Sequence, residues 1–570
     1  MKKVLGVLLA LTLVAACAPS TPQVVEKEVV VEKPVVETVV VEKEVVVEKP
    51  VVETVVVEKP VVITPTPAPP GPMSNTFVFA AGTMELSCDP AVRLGTATVR
   101  WARHFYDGLL QFKGATAELE PALATEWEVS EDGLTYTFNL REGVEFHDGC
   151  PFNAEAVKTT FDRITGIALG TAGMISAYKE TEIVDDYAVK IHLTAPDPAF
   201  PMKLPKLYIV SPCAVEAHKT AEDPWAKDWF FDHAAGTGPF KLVEWIHGDR
   251  WITERYDDYW QGPAQIIDGT ISILVPEIGV QSLLLEGGVV DFQVDVSPEE
   301  ADRLAKNPDI SVNVTEGINL WMIMMNTKHG PLADPKVREA MRWAFDYDAH
   351  IEYALGGKGS IARGPVAPGI PGFNEAIPEP HQDLEKAKEL LAEAGYPDGG
   401  FTLRYIHLPG ETGEELRGGE ILRDALAKLG ITLEMESLLF VAKVALFDDP
   451  ETAPDMAGLF SFPGYPDPNE NLIRYYRTQD QRPAAYNLAF LSNPTLDDLI
   501  MKQEREVDPA KRQEMLNEIQ RILWEEEIPA IWVSVPHSIT ATRKWVEGYE
   551  NMPYWHQSIN VYDISLEEKP

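Results

Sequence analysis

The sequence predicts a mixed α/β protein of two or three lobes preceded by a long tether. Three observations carry that prediction. At 570 residues the chain exceeds what one hydrophobic core organises. Strand and helix patterns alternate from about residue 75 to the C-terminus, as α/β lobes require. The stretch 121–157, PALATEWEVSEDGLTYTFNLREGVEFHDGCPFNAEAV, reads throughout as a hairpin followed by a helix.

The first residues have the anatomy of a secretory leader: Lys2 and Lys3, an apolar run over 4–16, then Cys17. The run is too short to span a bilayer. Val14-Ala15-Ala16-Cys17 resembles a lipobox, which implies cleavage before Cys17 and a lipid-anchored, not transmembrane, protein. Residues 24–39, VVEKEVVVEKPVVETV, recur unchanged over 40–55, and a third, broken copy starts at Val56. Pro34, Pro50 and Pro60 oppose a continuous sheet or helix, so 18–74 is expected to be a disordered linker. It ends in TPTPAPPGP, which favours extended polyproline conformation. Such a linker reaches about 180 Å when drawn out and roughly 40 Å as a coil. The body is expected to be monomeric; the rival reading makes the valine repeat a self-associating stalk.

Within the body, Thr76-Phe77-Val78-Phe79-Ala80 reads as the first strand. In the hairpin, Leu134, Tyr136, Phe138 and Leu140 alternate with Thr135, Thr137 and Asn139, placing four apolar side chains on one face. Gly133 and Gly143 sit in the flanking turns. Asn153 can cap a helix in which Val157, Phe161 and Ile164 share one side. Asp334-Pro335 and Asp508-Pro509 open two further helices, and a third runs over 383–394 until Gly395.

The formal net charge of -40 repels phosphate backbones and argues against nucleic acid as a partner. If Cys17 is acylated, Cys88, Cys150 and Cys213 remain; one pair could form, and the sequence does not choose it. No G-x-S-x-G, H-E-x-x-H or G-x-x-x-x-G-K-[ST] occurs, and Gly356-Gly357-Lys358-Gly359-Ser360 reads as a turn. The cysteines lack metal-site spacing and the histidines are scattered. His104 and His147 read as structural, and no metal, cofactor or enzymatic activity is expected.

The order Pro-x-Leu-Ala, Trp127, Ser-x-Asp-Gly-Leu-Thr-Tyr-Thr-Phe, Phe-His-Asp-Gly and Pro-Phe resembles the extracytoplasmic solute-binding proteins of family 5, the oligopeptide, dipeptide and nickel group of ABC importers. Further landmarks follow in order at Tyr106-Asp107-Gly108, Gly236-Thr237-Gly238-Pro239-Phe240, Tyr259-Trp260, Met325-Asn326-Thr327 and Tyr465-Pro466-Asp467-Pro468. The resemblance implies a bilobed type II periplasmic-binding-protein fold. Its discontinuous first lobe would hold 75–115, 235–319 and 531–570, with an inserted subdomain at 116–234 and a second lobe at 320–530. It also implies hinge closure on a solute and delivery to an ABC permease with a separate ATPase. Gly236 and 318–320 are the candidate hinges. A peptide-like solute leads, with oligosaccharide or metal chelate behind it and a carboxylate-dependent hydrolase as the reading from another class.

Two ligand-binding segments carry over by resemblance. One contains Leu94, Gly95 and Thr96; the other contains Phe460, Ser461, Phe462, Gly464, Tyr465 and Asp467. Peptide binders commonly show Trp-x-x-Asp before the tyrosine, and that aspartate holds the peptide's amino terminus. Here Ser461-Phe462-Pro463-Gly464 stands instead. Gly464 therefore predicts that blocking a peptide's amino terminus costs little, unless Asp467 or another acid reaches in.

Overall fold

The computed structural model describes residues 24–41, 45–62, 75–84, 87–92, 96–264, 268–409, 413–478, 486–555, 559–567 and 569. The leader, Cys17, Leu94 and Gly95 lie outside the described residues. The chain divides into two units, Met1–Met73 and Ser74–Pro570. In the first unit, Val24–Val41 and Val45–Val62 pair antiparallel, with Val31 opposite Val55 and Glu37 opposite Lys49. The prolines do not keep the repeat out of a sheet because a two-stranded ribbon consists only of edges, where proline is tolerated.

The second unit is built on two large sheets. Seven strands are ordered Phe240–Ile246, Arg250–Arg255, Gly269–Leu274, Thr76–Ala81, Phe292–Gln293, Ser538–Arg543 and Ile310–Thr315. The third, fourth and fifth are mutually parallel. Six strands form the other sheet in the order Gly359–Ile361, Ala530–Pro536, Leu320–Met325, Met456–Ser461, Thr402–His407 and Thr432–Ser437, the last three parallel. Leu320–Met325, LWMIMM, is buried on both faces. Its even-numbered residues feed one apolar cluster with Leu459 and Trp532, and its odd-numbered residues feed another with Tyr405 and Val533. A continuous apolar run suits such a central strand.

The chain passes between the sheets at 316–319 and again at His537. Ala530–Pro536 pairs with Leu320–Met325, so the boundary expected at 530/531 moves to His537. The crossings touch: a Cβ on Gly317 would lie 2.2 Å from the Pro536 carbonyl oxygen. Gly236, the other expected hinge, instead packs against the Phe105 carbonyl within the first-sheet side, and its own carbonyl accepts from His147 N–H.

The hairpin forms as its alternation predicts. Ala124–Val129 and Thr135–Leu140 pair antiparallel within a four-stranded sheet, and Tyr136, Phe138 and Leu140 are buried. Asn153 accepts from Glu155 N–H at 3.1 Å, capping helix Ala154–Ile167. Cys150 pairs with Cys213 in a disulfide, and Cys88 is buried. No described helix is long and apolar enough to cross a membrane.

Candidate functional site

Strand direction places the site. Ala81, Leu274 and Gln293 end the parallel strands of the first sheet, while His407, Ser437 and Ser461 end those of the second. Pairing Thr315 with Ser538 and Leu320 with Ser461 puts both crossings on those same edges. Ligands of open α/β sheets bind beyond such carboxyl ends. Ion pairs bridge the two edges: Arg417 to Glu299 at 2.9 Å and Lys358 to Asp302 at 2.8 Å. Each pair has at least one exposed partner, so these pairs contribute little to stability.

The first candidate segment follows strand Thr76–Ala81, and Thr96 opens helix Thr96–Phe105. The loop leading to it is held by Asp89, whose carboxylate accepts from Ala91 N–H and takes a bidentate pair with Arg163 at 2.6 and 2.7 Å. Both side chains are almost fully buried, at 1% and 0% exposure. Arg163 also donates to the Trp225 carbonyl and lies 4.4 Å over the Phe230 ring, so its charge is well satisfied.

The second segment follows strand Met456–Ser461. Ser461 is buried, and Phe460 and Phe462 stack with centroids 5.7 Å apart, Phe462 being exposed. Tyr465 is buried in the apolar cluster that includes Ala91 and Leu204, under the ammonium of Lys203 at 5.1 Å. Lys203 is itself paired with buried Asp197 at 2.5 Å. Asp467 does not offer its carboxylate to a ligand: Arg512 grips it at 2.7 and 2.8 Å, and Asn469 N–H donates to it at 2.9 Å.

The acid that reaches Gly464 is Glu470, which the sequence reading missed. It sits in the first turn of helix Asn469–Tyr476. Its Oε2 accepts from Gly464 N–H at 2.8 Å, and its other oxygen pairs with Arg474. A Cβ built on Gly464 would meet Glu470 Oε2 at 2.4 Å. The Glu470 carboxylate thus occupies the space that a side chain at 464 would fill. Across from it stands Lys206, buried; burial holds its ammonium down to about 8 while the charge of Glu470 pulls the other way. Only the six-residue return from Glu470 to Gly464 in space could have revealed this, and no sequence spacing reports it.

His147 and His104 are both held inside the fold. His147 Nε2 shares a hydrogen bond with the Gly238 carbonyl at 2.8 Å, and burial lowers its pKa to about 4. His104 is packed among Phe79, Phe240 and Trp251, with its pKa lowered to about 3 for the same reason. Among the described residues no group of three or more His, Cys, Asp and Glu is placed to hold a metal ion.

Two α/β sheets joined by paired crossings, with charged and aromatic loops at the joined edges, define a two-lobed type II binding protein. Residues 118–483 match the family described as bacterial extracellular solute-binding proteins, family 5 Middle, and the chain belongs to that family of ABC-importer binding proteins. The chain is 30% identical over 482 residues to the glutathione-binding protein GsiB of Pectobacterium atrosepticum, covering 84% of this chain and 91% of the relative. Among solved structures it is similar to the periplasmic binding protein DppA of Helicobacter pylori in complex with the peptide STSA. The TM-score is 0.72 at 28% identity, with 86% of this chain and 98% of that one covered. HbpA2 of Haemophilus parasuis gives a TM-score of 0.75 at 26% identity over 86% and 100%.

Proposed function

We propose that this chain is a lipid-anchored binding protein that captures a peptide-like solute with a free amino group outside the cytoplasm and presents it to an ABC permease with a separate ATPase. The observation that carries the reading is the Glu470 carboxylate at the place of a residue-464 side chain. A carboxylate has about four acceptor positions, and Gly464 and Arg474 account for two contacts, leaving room for an ammonium. Asp467 is not that acceptor, and the expectation that a blocked amino terminus costs little reverses. Glutathione and peptides, named for GsiB and for the DppA complex, both carry such an amine.

The lobes are 75–115, 235–319 and 537–570 for the first, with 116–234 inserted, and 320–536 for the second. They close about 316–319 and His537, and solute binding favours the closed state. Leu94, Gly95 and Thr96 contribute from the first lobe; Phe460, Ser461, Phe462, Gly464, Tyr465 and Glu470 contribute from the second. Cys17 carries lipid and 18–74 is the tether, holding a monomeric body in the periplasm or at the outer face of the cytoplasmic membrane. Exposed Phe462 supports an oligosaccharide as the second reading, through ring stacking.

Mass spectrometry of solute released from natively purified protein tests the assignment. An unmodified peptide or glutathione-like molecule is expected. Recovery of sugar alone would transfer the reading to oligosaccharide, and turnover of added peptide would replace the receptor with a hydrolase.

A further inference from the structure

The inserted subdomain, 116–234, continues in sequence into the first lobe at both ends, yet its core holds a side chain from the second. The Tyr465 ring, 4% exposed, is packed in the cluster that contains Tyr136, Phe138, Phe161 and Phe200. The ammonium of Lys203 lies 5.1 Å from the ring centroid, and Asp197 holds that ammonium at 2.5 Å. The ring is presented on a stiff turn. Asp467 N–H donates to the Tyr465 carbonyl at 2.8 Å, and the grip of Arg512 on the Asp467 carboxylate ties the same turn to helix Pro509–Arg521.

A second contact joins the same two parts. At the turn of the hairpin, a Cβ built on Gly133 would lie 2.8 Å from Val507 Cγ1 and 3.3 Å from Pro196 Cβ. Val507 stands between helices Pro494–Gln503 and Pro509–Arg521 of the second lobe. Neither contact involves the crossings at 316–319 and His537, so opening the lobes about those crossings must draw the ring out of its cluster and part Val507 from the turn. Withdrawing an aromatic side chain from an apolar core shifts an equilibrium roughly ten- to 150-fold, and the Lys203 ammonium loses its ring face as well. Tyr465 also follows Gly464, whose N–H binds Glu470. The inserted ring therefore ties the position of that carboxylate to the subdomain.

We propose that Tyr465 is a positioning residue that acts as a latch: its insertion into the 116–234 subdomain holds the lobes together and sets the Gly464–Glu470 segment in place, with or without solute. The latch rests on the two-lobe closure proposed above but not on the identity of the solute. Pro196→Cys with Val507→Cys in the full chain, bridged by a short bis-methanethiosulfonate, traps the latched arrangement, and the trapping rate without added solute reports how often it forms. In that parent, Tyr465→Ala should slow trapping at least threefold, Tyr465→Phe should stay within twofold, and Tyr465→Leu should fall between them. All three should still melt cooperatively, a graded order that misfolding would not give; if Tyr465→Ala does not fold, Tyr465→Leu against Tyr465→Phe decides. Glutathione should speed trapping in each. A parent that is never trapped, or a folded Tyr465→Ala or Tyr465→Leu trapped at the parent's rate, would overturn the latch. Slowed trapping in Tyr465→Ala with no response to glutathione in any variant would uphold the latch and remove glutathione as the solute.

Discussion

If Glu470 holds the solute's ammonium, neutralising either partner removes the same interaction. A hydrogen bond to a charged group contributes about 1.5–3 kcal/mol. At 1.4 kcal/mol per tenfold, Glu470→Gln should weaken binding of a free peptide or glutathione roughly ten- to 150-fold. Acetylating the ligand's amine should cost the wild type a similar factor. Calorimetry at pH 7 over the four combinations forms a double-mutant cycle, and the two losses should not add, because the second change finds no interaction left to remove. Moving the acid back is the reciprocal test. Gly464→Asp alone clashes with Glu470 Oε2, which would lie 2.4 Å from the new Cβ. Combined with Glu470→Ala it should regain most of the lost affinity. Fully additive losses, or an acetylated ligand bound within twofold of the free one, would refute the role of Glu470 and restore the expectation drawn from Gly464 alone.

Three further outcomes concern the scaffold. Arg163→Ala should destabilise the body by about 3–5 kcal/mol in denaturant titration, since it strands the buried Asp89 carboxylate; Arg163→Lys should recover little, because it cannot restore the bidentate geometry. Gly317→Ala should cost about 1–3 kcal/mol by driving a methyl group against the Pro536 carbonyl, and a wild-type unfolding midpoint would show that the crossings have slack. Glu414 is buried, and that burial, with Glu415 beside it, raises its pKa from 4.5 to about 8. The folded state therefore keeps its proton where the unfolded chain has lost it, so this contribution to stability is full below about pH 4.5 and is lost as pH rises to about 8. Melting temperatures of Glu414→Gln across pH 4.5–8.5 should decline less than those of the wild type; parallel curves would remove Glu414 as the cause.

Local features were legible in the sequence because their causes are local. Asn153, Asp334, Asp383 and Asp508 each cap a helix a few residues away, and all four caps form. The alternation from Leu134 to Leu140 reports one buried face and needs no distant partner. What depended on chain return was not legible. Nothing in the spacing of Cys150, Cys213 and Cys88 chooses a disulfide, and nothing near Asp467 announces Arg512, 45 residues on. The same limit hid Glu470: a glutamate in a helix's first turn has a local reason to be there, which masks its second position against Gly464. The boundary at His537 was displaced because Ala530–Pro536 is apolar enough for the centre of either sheet, and only its pairing decides.

The order of strands in the first sheet also fixes an order of events in time. Ser538–Arg543 lies between Phe292–Gln293 and Ile310–Thr315, so Ile310–Thr315 joins its sheet only through a strand made almost last. The whole second sheet, Leu320 to Pro536, is synthesised in between and carries all its own strands. It can therefore close while the first remains split, and the first stays incomplete until the C-terminal segment emerges. A chain built this way is kept from premature completion of its first sheet by its own topology.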